Sequence, residues 1–398
     1  MNEKMIRKYA NMLATVGINV QKGQKVLVEA CIEGYAFANI FAQECYKEGA
    51  SEVIINYLDL PFLKTKAQYQ SAEDVRKIEN WEYERYQKYL DEGACTIRLE
   101  GVNPKLMEDA TEAQANAIFA YIDNMRNIMR KASREKHCQW CIAMVPSYEW
   151  ATLMFPELNP HEALDKLWDV LFKLCYLTED NDIAKVWEEK NKKNLALGRK
   201  LDALHLKALH YTASNGTDLT IELTEFSKYA HEPSDNAIPF NANIPTEEIA
   251  TSPYKFGTNG VVYASRPLIL GGKQVENFGF RFEKGKVVEV LANEGKEMLE
   301  ALVNTDENAG YLGEAALVEY SSPISQSGLV YYNTLIDENA SCHLALGRCL
   351  QDTTGKEDLL NTSTIHIDFM MGTHDMNIDG LLEDGTWTPI FRNGDFAI

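Results

Sequence analysis

His366 and Asp368 stand two residues apart in the run TIHIDFMMG (364–372), flanked by Ile365, Ile367, Phe369 and Met370. Apolar neighbours on both sides predict a largely buried strand, and a side-chain period of two puts the imidazole and the carboxylate on one face. Such a pair is either mutually satisfied or a pair of metal ligands, and the two residues alone leave both readings open. More acidic residues lie nearby in sequence. Glu338 precedes His343 in DENASCHLALG (337–347), Glu314 lies in GYLGEAALVEY (310–320), and Glu247-Glu248 follow Pro245 in NIPTEEIATSP (243–253). Neighbouring side chains of an extended segment point to opposite faces, so only one of Glu247 and Glu248 can easily face a common site. Taken singly, His343 reads as a satisfied core histidine and Glu314 as part of a solvated face. Taken as a set in one half of the chain, these carboxylates and imidazoles suit two divalent cations about 3.5–4 Å apart with one carboxylate bridging.

The elements that position this set differ between the two halves of the chain. In the first half, Met5–Val16, Gly34–Glu48 and about Thr111–Lys136 carry helical periodicity. KVLVEA (25–30), SEVIINYLDL (51–60), CTIRLEG (95–101) and CIAMVP (141–146) read as strands between them. Alternating strands and helices imply crossover units and a mainly parallel sheet, so an α/β domain is expected over 1–182. No glycine-rich phosphate fingerprint follows any of these strands, so the domain reads as a scaffold serving oligomerisation or substrate access. The charged stretch 182–204 reads as a helical connection. Beyond it, LHLKALHY and TDLTIELTE flank Asn215-Gly216 as a hairpin. GVVYASRPLILGG, VENFGFRFEKGKVVEVLA and GLVYYNTLI continue in β fashion, with GKEMLEALVN as the clear helix. An α+β domain rich in antiparallel strands is therefore expected over 183–398, and it would carry the metal site.

The 398 residues, 45% hydrophobic and 25% charged, describe an ordinary globular chain. A formal net charge of −20 argues against binding nucleic acid or an anionic membrane, both of which call for a basic face. The start, MNEKMIRKYANMLATVG, interrupts its apolar positions with Lys4, Arg7 and Lys8, unlike a signal peptide. No run approaches the ~20 apolar residues of a membrane span. Eight cysteines scattered over a long chain do not form a disulfide framework, so a cytoplasmic home is expected. His137-Cys138-Gln-Trp-Cys141 has redox or zinc-ligand spacing. It lacks a second such pair and opens the apolar run CIAMVP, so it reads as structural.

The segments NIPTEEIATSP, RPLILGG (266–272), YLGEAALVEYSSPIS (311–325), DENASCHLALG, HIDFMMG with NIDG (377–380), and FRNGDF (391–396) resemble the M29 family of metalloaminopeptidases. HEPSDNAIPFN (231–241) and GTDLTIEL (216–223) do so too, and NPKLMEDA (103–110) and YEWATLMFP (148–156) extend the resemblance more loosely into the first half. It implies removal of N-terminal residues from peptides with a free amino terminus, by water activated between two divalent ions (Zn²⁺, Co²⁺ or Mn²⁺), in a homodimer. The implied ligands are Glu248 (in preference to Glu247), Glu314, His343, His366 and Asp368, with Glu314 bridging. Glu338 matches a further acidic position, so Glu314 or Glu338 would carry the proton to the departing amine. The sequence departs from the family where Leu350 stands in place of a tyrosine whose phenol can donate to a developing oxyanion. Losing such a donor typically costs about a hundredfold or more in rate. Either another group, such as Tyr331 or Tyr332, supplies the donor, or the enzyme is slower or altered in specificity. The alternatives are a catalytically impaired homologue that binds peptides, or another dinuclear amidohydrolase or dipeptidase.

Overall fold

The computed structural model describes residues 2–101, 106, 107, 109–136, 138–230, 238–270, 273–350, 353 and 355–398. His137, residues 231–237, Gly271, Gly272 and residues 103–105 and 108, all within motifs quoted above, lie outside them. The chain divides into two compact units, Met1–Glu188 with Pro233–Pro245, and Glu189–Glu232 with Thr246–Ile398.

The first unit is built on β1 (Lys25–Cys31), β2 (Glu52–Leu58), β3 (Cys95–Glu100) and β4 (Trp140–Met144), all paired in parallel. Six of the seven β1 residues are buried, the pattern of a strand covered on both faces. The run read as a strand to residue 60 stops at Leu58. Asp59 ends it by accepting the Phe62 N–H at 2.8 Å and capping the helix Leu60–Tyr69, whose first turn also holds a proline. The helix Pro160–Leu174 buries Ala163, Leu164, Leu167, Trp168, Leu171 and Phe172, one apolar stripe at helical spacing. All eight cysteines are buried thiols, Cys138 and Cys141 among them. No helix among the described residues is long and apolar enough to cross a membrane.

The second unit is antiparallel. Its hairpin β5 (Ala208–Thr212) and β6 (Asp218–Glu222) pairs Thr212 with Asp218, so the connection is the five residues between them rather than Asn215-Gly216 alone. Gly216 takes a φ of 96° there, where glycine avoids the Cβ clash. The chain then adds β7 (Asn243–Ile244) to the edge of the first unit's sheet beside β4, giving the order β2-β1-β3-β4-β7. It returns through β8 (Ile249–Thr251), β9 (Thr258–Tyr263), the small pair β10 (Leu268–Leu270) and β11 (Lys273–Val275), β12 (Phe278–Glu283) and β13 (Lys286–Ala292). The helix Lys296–Val303 leads to β14 (Leu312–Leu317), β15 (His343–Gly347) and β16 (His366–Met370). The chain closes with β17 (Asn377–Leu381), β18 (Trp387–Arg392) and β19 (Asp395–Phe396).

These strands form an eight-stranded sheet, β13-β12-β9-β6-β5-β17-β18-β19, and a four-stranded sheet, β16-β15-β14-β8. Phe278 and Phe280 of β12 meet Phe369 of β16 with ring centroids 6.3 and 5.2 Å apart, within the core that joins the two sheets. One face of the four-stranded sheet is thereby committed to the interior, which leaves the other for chemistry.

Candidate metal centre

The register of the four-stranded sheet decides which side chains share a face. Glu314 pairs with Ala345, and Ala345 with Asp368, so the three stand in one row across β14, β15 and β16. Two residues along, Ala316 pairs with His343, while Gly347 pairs with His366. Alternation then puts Glu314, Ala316, His343, Ala345, His366 and Asp368 on one side of the sheet. Ala315, Leu317, Leu344, Leu346 and Phe369 fall on the other side and join the core. On β8, Ala250 pairs with Ala316, so it shares the face of the carboxylates and imidazoles. Glu248, two residues earlier, continues in phase with Ala250; Glu247 is out of phase and turns away to Lys190, Oε2 to Nζ 2.6 Å.

The six ionisable side chains expected at the site converge in the second unit. His343 Nε2 lies 3.2 Å from Glu248 Oε2 and 3.7 Å from Glu314 Oε1. His366 Nε2 lies 3.1 Å from Glu314 Oε2 and 3.3 Å from Asp368 Oδ1. Donor atoms of Glu248, Glu314 and His343 fall within 4.8 Å of one another, as do those of Glu314, His366 and Asp368. Glu314 belongs to both groups and turns one oxygen toward each imidazole. The far nitrogen of each ring faces a main-chain carbonyl, His343 Nδ1 to Ser341 O at 3.3 Å and His366 Nδ1 to Arg348 O at 2.6 Å. An Nδ1–H donated to a carbonyl fixes the tautomer and leaves Nε2 to the cluster, the usual way a ligating histidine is oriented. Glu338 sits on the helical turn Glu338–Ala340, after the short helix Thr334–Asp337, and is buried.

Three buried carboxylates and the half-buried Glu248 require positive charge, and the ionisation of the cluster shows where it goes. Burial pushes the Glu338 carboxyl well above its ordinary value, and the charges of Asp368, Glu248 and Glu314 push it the same way. Glu248 is raised too, by burial first, with His343 opposing. Burial alone would also raise Glu314, but the two histidines beside it outweigh that and bring it down to about 2. Burial would lower the histidines; instead their carboxylate neighbours push His366 up to about 11 and His343 well above its ordinary value. Protons on the imidazoles thus neutralise the cluster.

These residues fit divalent cations. Asp368 Oδ1 is buried, and among the described residues no donor reaches it with good hydrogen-bond geometry, its nearest neighbour being His366 Nε2 at 3.3 Å, so it is open to a cation. An oriented imidazole and mixed carboxylate oxygens are the donor set of Zn²⁺, Co²⁺ and Mn²⁺ sites. Leu350 is 47% exposed, its N–H donating to Ser252 Oγ at 3.1 Å. Of the two tyrosines considered in its place, Tyr331 is fully buried and donates its hydroxyl to Ser327 Oγ at 2.8 Å. Tyr332 is held at a positive φ of 55°. Sequence reasoning did not single out Ala345, whose one-carbon side chain leaves room between Glu314 and Asp368, or Asn339, which contacts Glu247. Neither residue type signals a site. The carbonyls of Ser341 and Arg348 were equally silent, because any residue supplies one.

The sequence profile of the family described as Thermophilic metalloprotease (M29) matches residues 2–396. The chain is 38% identical to aminopeptidase AmpS of Bacillus subtilis (strain 168), covering 98% of each protein. It is 35% identical to aminopeptidase 2 of Geobacillus stearothermophilus, over 99% of this chain and 98% of the relative. Among solved structures, that of wild-type AmpT from Thermus thermophilus superposes with a TM-score of 0.92 at 34% identity, covering 100% of both chains.

Proposed function

Since the chain belongs to the M29 family of metalloproteases and is a metalloaminopeptidase, we propose that its hydrolytic centre holds two divalent cations, with Glu248, Glu314, His343, His366 and Asp368 as ligands. The observation that carries this reading is the sharing of Glu314 between two donor groups, one with Glu248 and His343, the other with His366 and Asp368. Charge supports the same count. Glu248, Glu314, Glu338 and Asp368 carry about four negative charges when ionised, which two divalent cations balance while both histidines stay neutral.

Cations bound there would polarise the scissile carbonyl and lower the pKa of the attacking water. Glu314 holds both donor groups in register, and the main-chain carbonyls of Ser341 and Arg348 keep the imidazoles in the ligating tautomer. Glu338, ionised once bound cations offset the acidic neighbours that now raise it, would take a proton from the attacking water and return it to the departing amine. The free α-amino group of a peptide would bind one of the cations or a nearby carboxylate, which would confine cleavage to the first residue. Zn²⁺, Co²⁺ and Mn²⁺ all suit the donors, and availability would select among them. A homodimer in the cytoplasm, with the first unit serving assembly or access, completes the reading; the buried thiols agree with a reducing compartment.

The test is release of N-terminal residues from unblocked amino-acid amides by protein loaded with Zn²⁺, Co²⁺ or Mn²⁺, beside an Asp368→Ala control. Turnover by the loaded protein, lost in the control and on N-acetylated substrates, is expected. Equal silence of both proteins, with metal still bound, would replace this reading with that of a peptide-binding homologue impaired at Leu350.

A further inference from the structure

Four of the six ionisable residues are held by the strand ladder of β14, β15 and β16. Glu248 and Glu338 are not. Glu248 precedes the first residue of β8, and Glu338 lies on a short helical turn. Something else must fix their separation, and Asn339 touches the segments that carry both. Its side chain is fully buried. Its Oδ1 accepts the Glu247 N–H at 2.6 Å and the Thr246 hydroxyl at 3.4 Å. Its Nδ2 donates to Leu335 O at 3.0 Å, and at 3.5 Å to Glu338 Oε1. Acceptor and donor ends thus face different segments: the acceptor holds the Thr246–Glu247 peptide, one residue ahead of Glu248, and the donor holds the helical turn and the Glu338 carboxylate.

A buried carboxamide left unsatisfied is destabilising, so its position is set by these partners and theirs by it. The Glu247 bond is the shortest of the four. It grips the N–H of the residue whose side chain turns away from the cluster to Lys190, and so keeps the next side chain, Glu248, in phase with Ala250. We propose that Asn339 is a positioning residue that sets the spacing between Glu248 and Glu338, and thereby couples the metal-binding side of the site to its proton carrier. The proposal rests on the ligand role of Glu248 given above.

The two ends of the carboxamide can be separated by substitution. Asn339→Asp keeps the acceptor toward Glu247 and loses the donor toward Glu338; Asn339→Leu loses both at similar volume. The measurements are Co²⁺ titration of the metal-free full-length protein by visible absorption, and kcat and KM of the loaded enzyme on an amino-acid amide. In Asn339→Asp, kcat should fall about 10- to 100-fold, the usual cost of losing such a supporting contact, with the Co²⁺ titration little changed. In Asn339→Leu, Co²⁺ affinity should fall by a similar factor and its spectrum should change. A purely structural role would lower only the melting temperature of both variants, leaving spectrum, affinity, kcat and KM of the folded protein as in wild type; that result overturns the proposal. Glu248→Gln serves as reference. If it binds Co²⁺ as wild type does, the ligand reading itself has failed. If it loses Co²⁺ while Asn339→Leu does not, the positioning proposal alone has failed.

Discussion

At the scale of single residues, the chemistry turns on a carboxylate placed between two imidazoles. Glu314 Oε1 and Oε2 face His343 and His366 respectively, so one substitution disturbs both donor groups. Glu314→Gln keeps the shape and removes the charge. Co²⁺ affinity should fall by more than the roughly 10- to 100-fold typical of a supporting contact, and amide turnover should be lost with it, as dialysis against Co²⁺ and a turnover assay would show. Unchanged binding would remove Glu314 from the ligand set. The raised histidines make a second prediction. In the metal-free protein His366 is held at about 11 and His343 well above its ordinary value, so both carry protons at neutral pH, whereas a ligating histidine is neutral. Loading should therefore release protons, and apparent affinity should rise with pH. Calorimetry in two buffers of different ionisation enthalpy measures the release; a value near zero at pH 7 would mean that these imidazoles are not displaced. At this scale the sequence was legible where alternation applied. His366 and Asp368 share a face because Ile365, Ile367 and Phe369 mark a strand. Alternation also separates Glu247 from Glu248, but choosing between them by parity required knowing that Ala250 faces Ala316, a pairing between residues far apart in the chain.

At the scale of elements, the sheet supplies space as well as ligands. Ala345 stands between Glu314 and Asp368 on the central strand and is fully buried. Ala345→Val favours the strand conformation but adds two methyl groups where the donors converge. Overpacking should cost about 1–3 kcal/mol of stability and reduce Co²⁺ binding at least tenfold, while Ala345→Gly should bind nearly as wild type. Equal binding by both variants would show that the row is wider than its register implies. The loop before β16 is fastened separately, Asp306 accepting from Ser363 Oγ, Thr364 N and Thr364 Oγ1 at 2.8–2.9 Å. Burial would raise this carboxyl, but the bonds from Thr364 and Ser363 outweigh it and hold it at about 2, against 3.8 ordinarily. A carboxyl with a depressed folded pKa stabilises fully above its unfolded value and loses that contribution as pH falls through about 2. Asp306→Asn should therefore cost about 1 kcal/mol at neutral pH, a gap that closes between pH 4 and pH 2. Denaturant midpoints of the metal-free proteins across that range would check it, and a gap independent of pH would assign the effect to packing. Elements with a long apolar pattern, such as β1 and the helix Glu112–Lys136, could be read from the sequence. The four-residue helix Thr334–Asp337 could not: GLVYYNTLI (328–336), expected in β form, contains no strand and ends in this helix, one turn being too short to display a period, and the helix leads into the turn that carries Glu338.

At the scale of the whole molecule, all six ionisable residues belong to the second unit, although the chain leaves that unit for Pro233–Pro245 just before delivering Glu248. The change from parallel to antiparallel architecture was legible, because helices stop alternating with strands after residue 204. The excursion was not: Asn243 and Ile244 add only two residues to the first sheet, too few for a strand pattern. The division predicts where metal acts on stability. A cation that binds only the folded site stabilises by about 2.7 kcal/mol at a hundredfold excess over its dissociation constant. That increment reaches only those amides whose opening breaks the site. Hydrogen exchange with and without Co²⁺ should therefore slow by about a hundredfold in β8, β14, β15 and β16 at that excess, and remain nearly unchanged in β1–β4. Equal slowing of β1–β4 would mean that the chain opens as one cooperative body, so that metal binding stabilises the scaffold as strongly as the centre. Slowing confined to the four-stranded sheet would make the first unit an independently stable frame, whose contribution to the enzyme must then lie in assembly or access rather than in holding the metals.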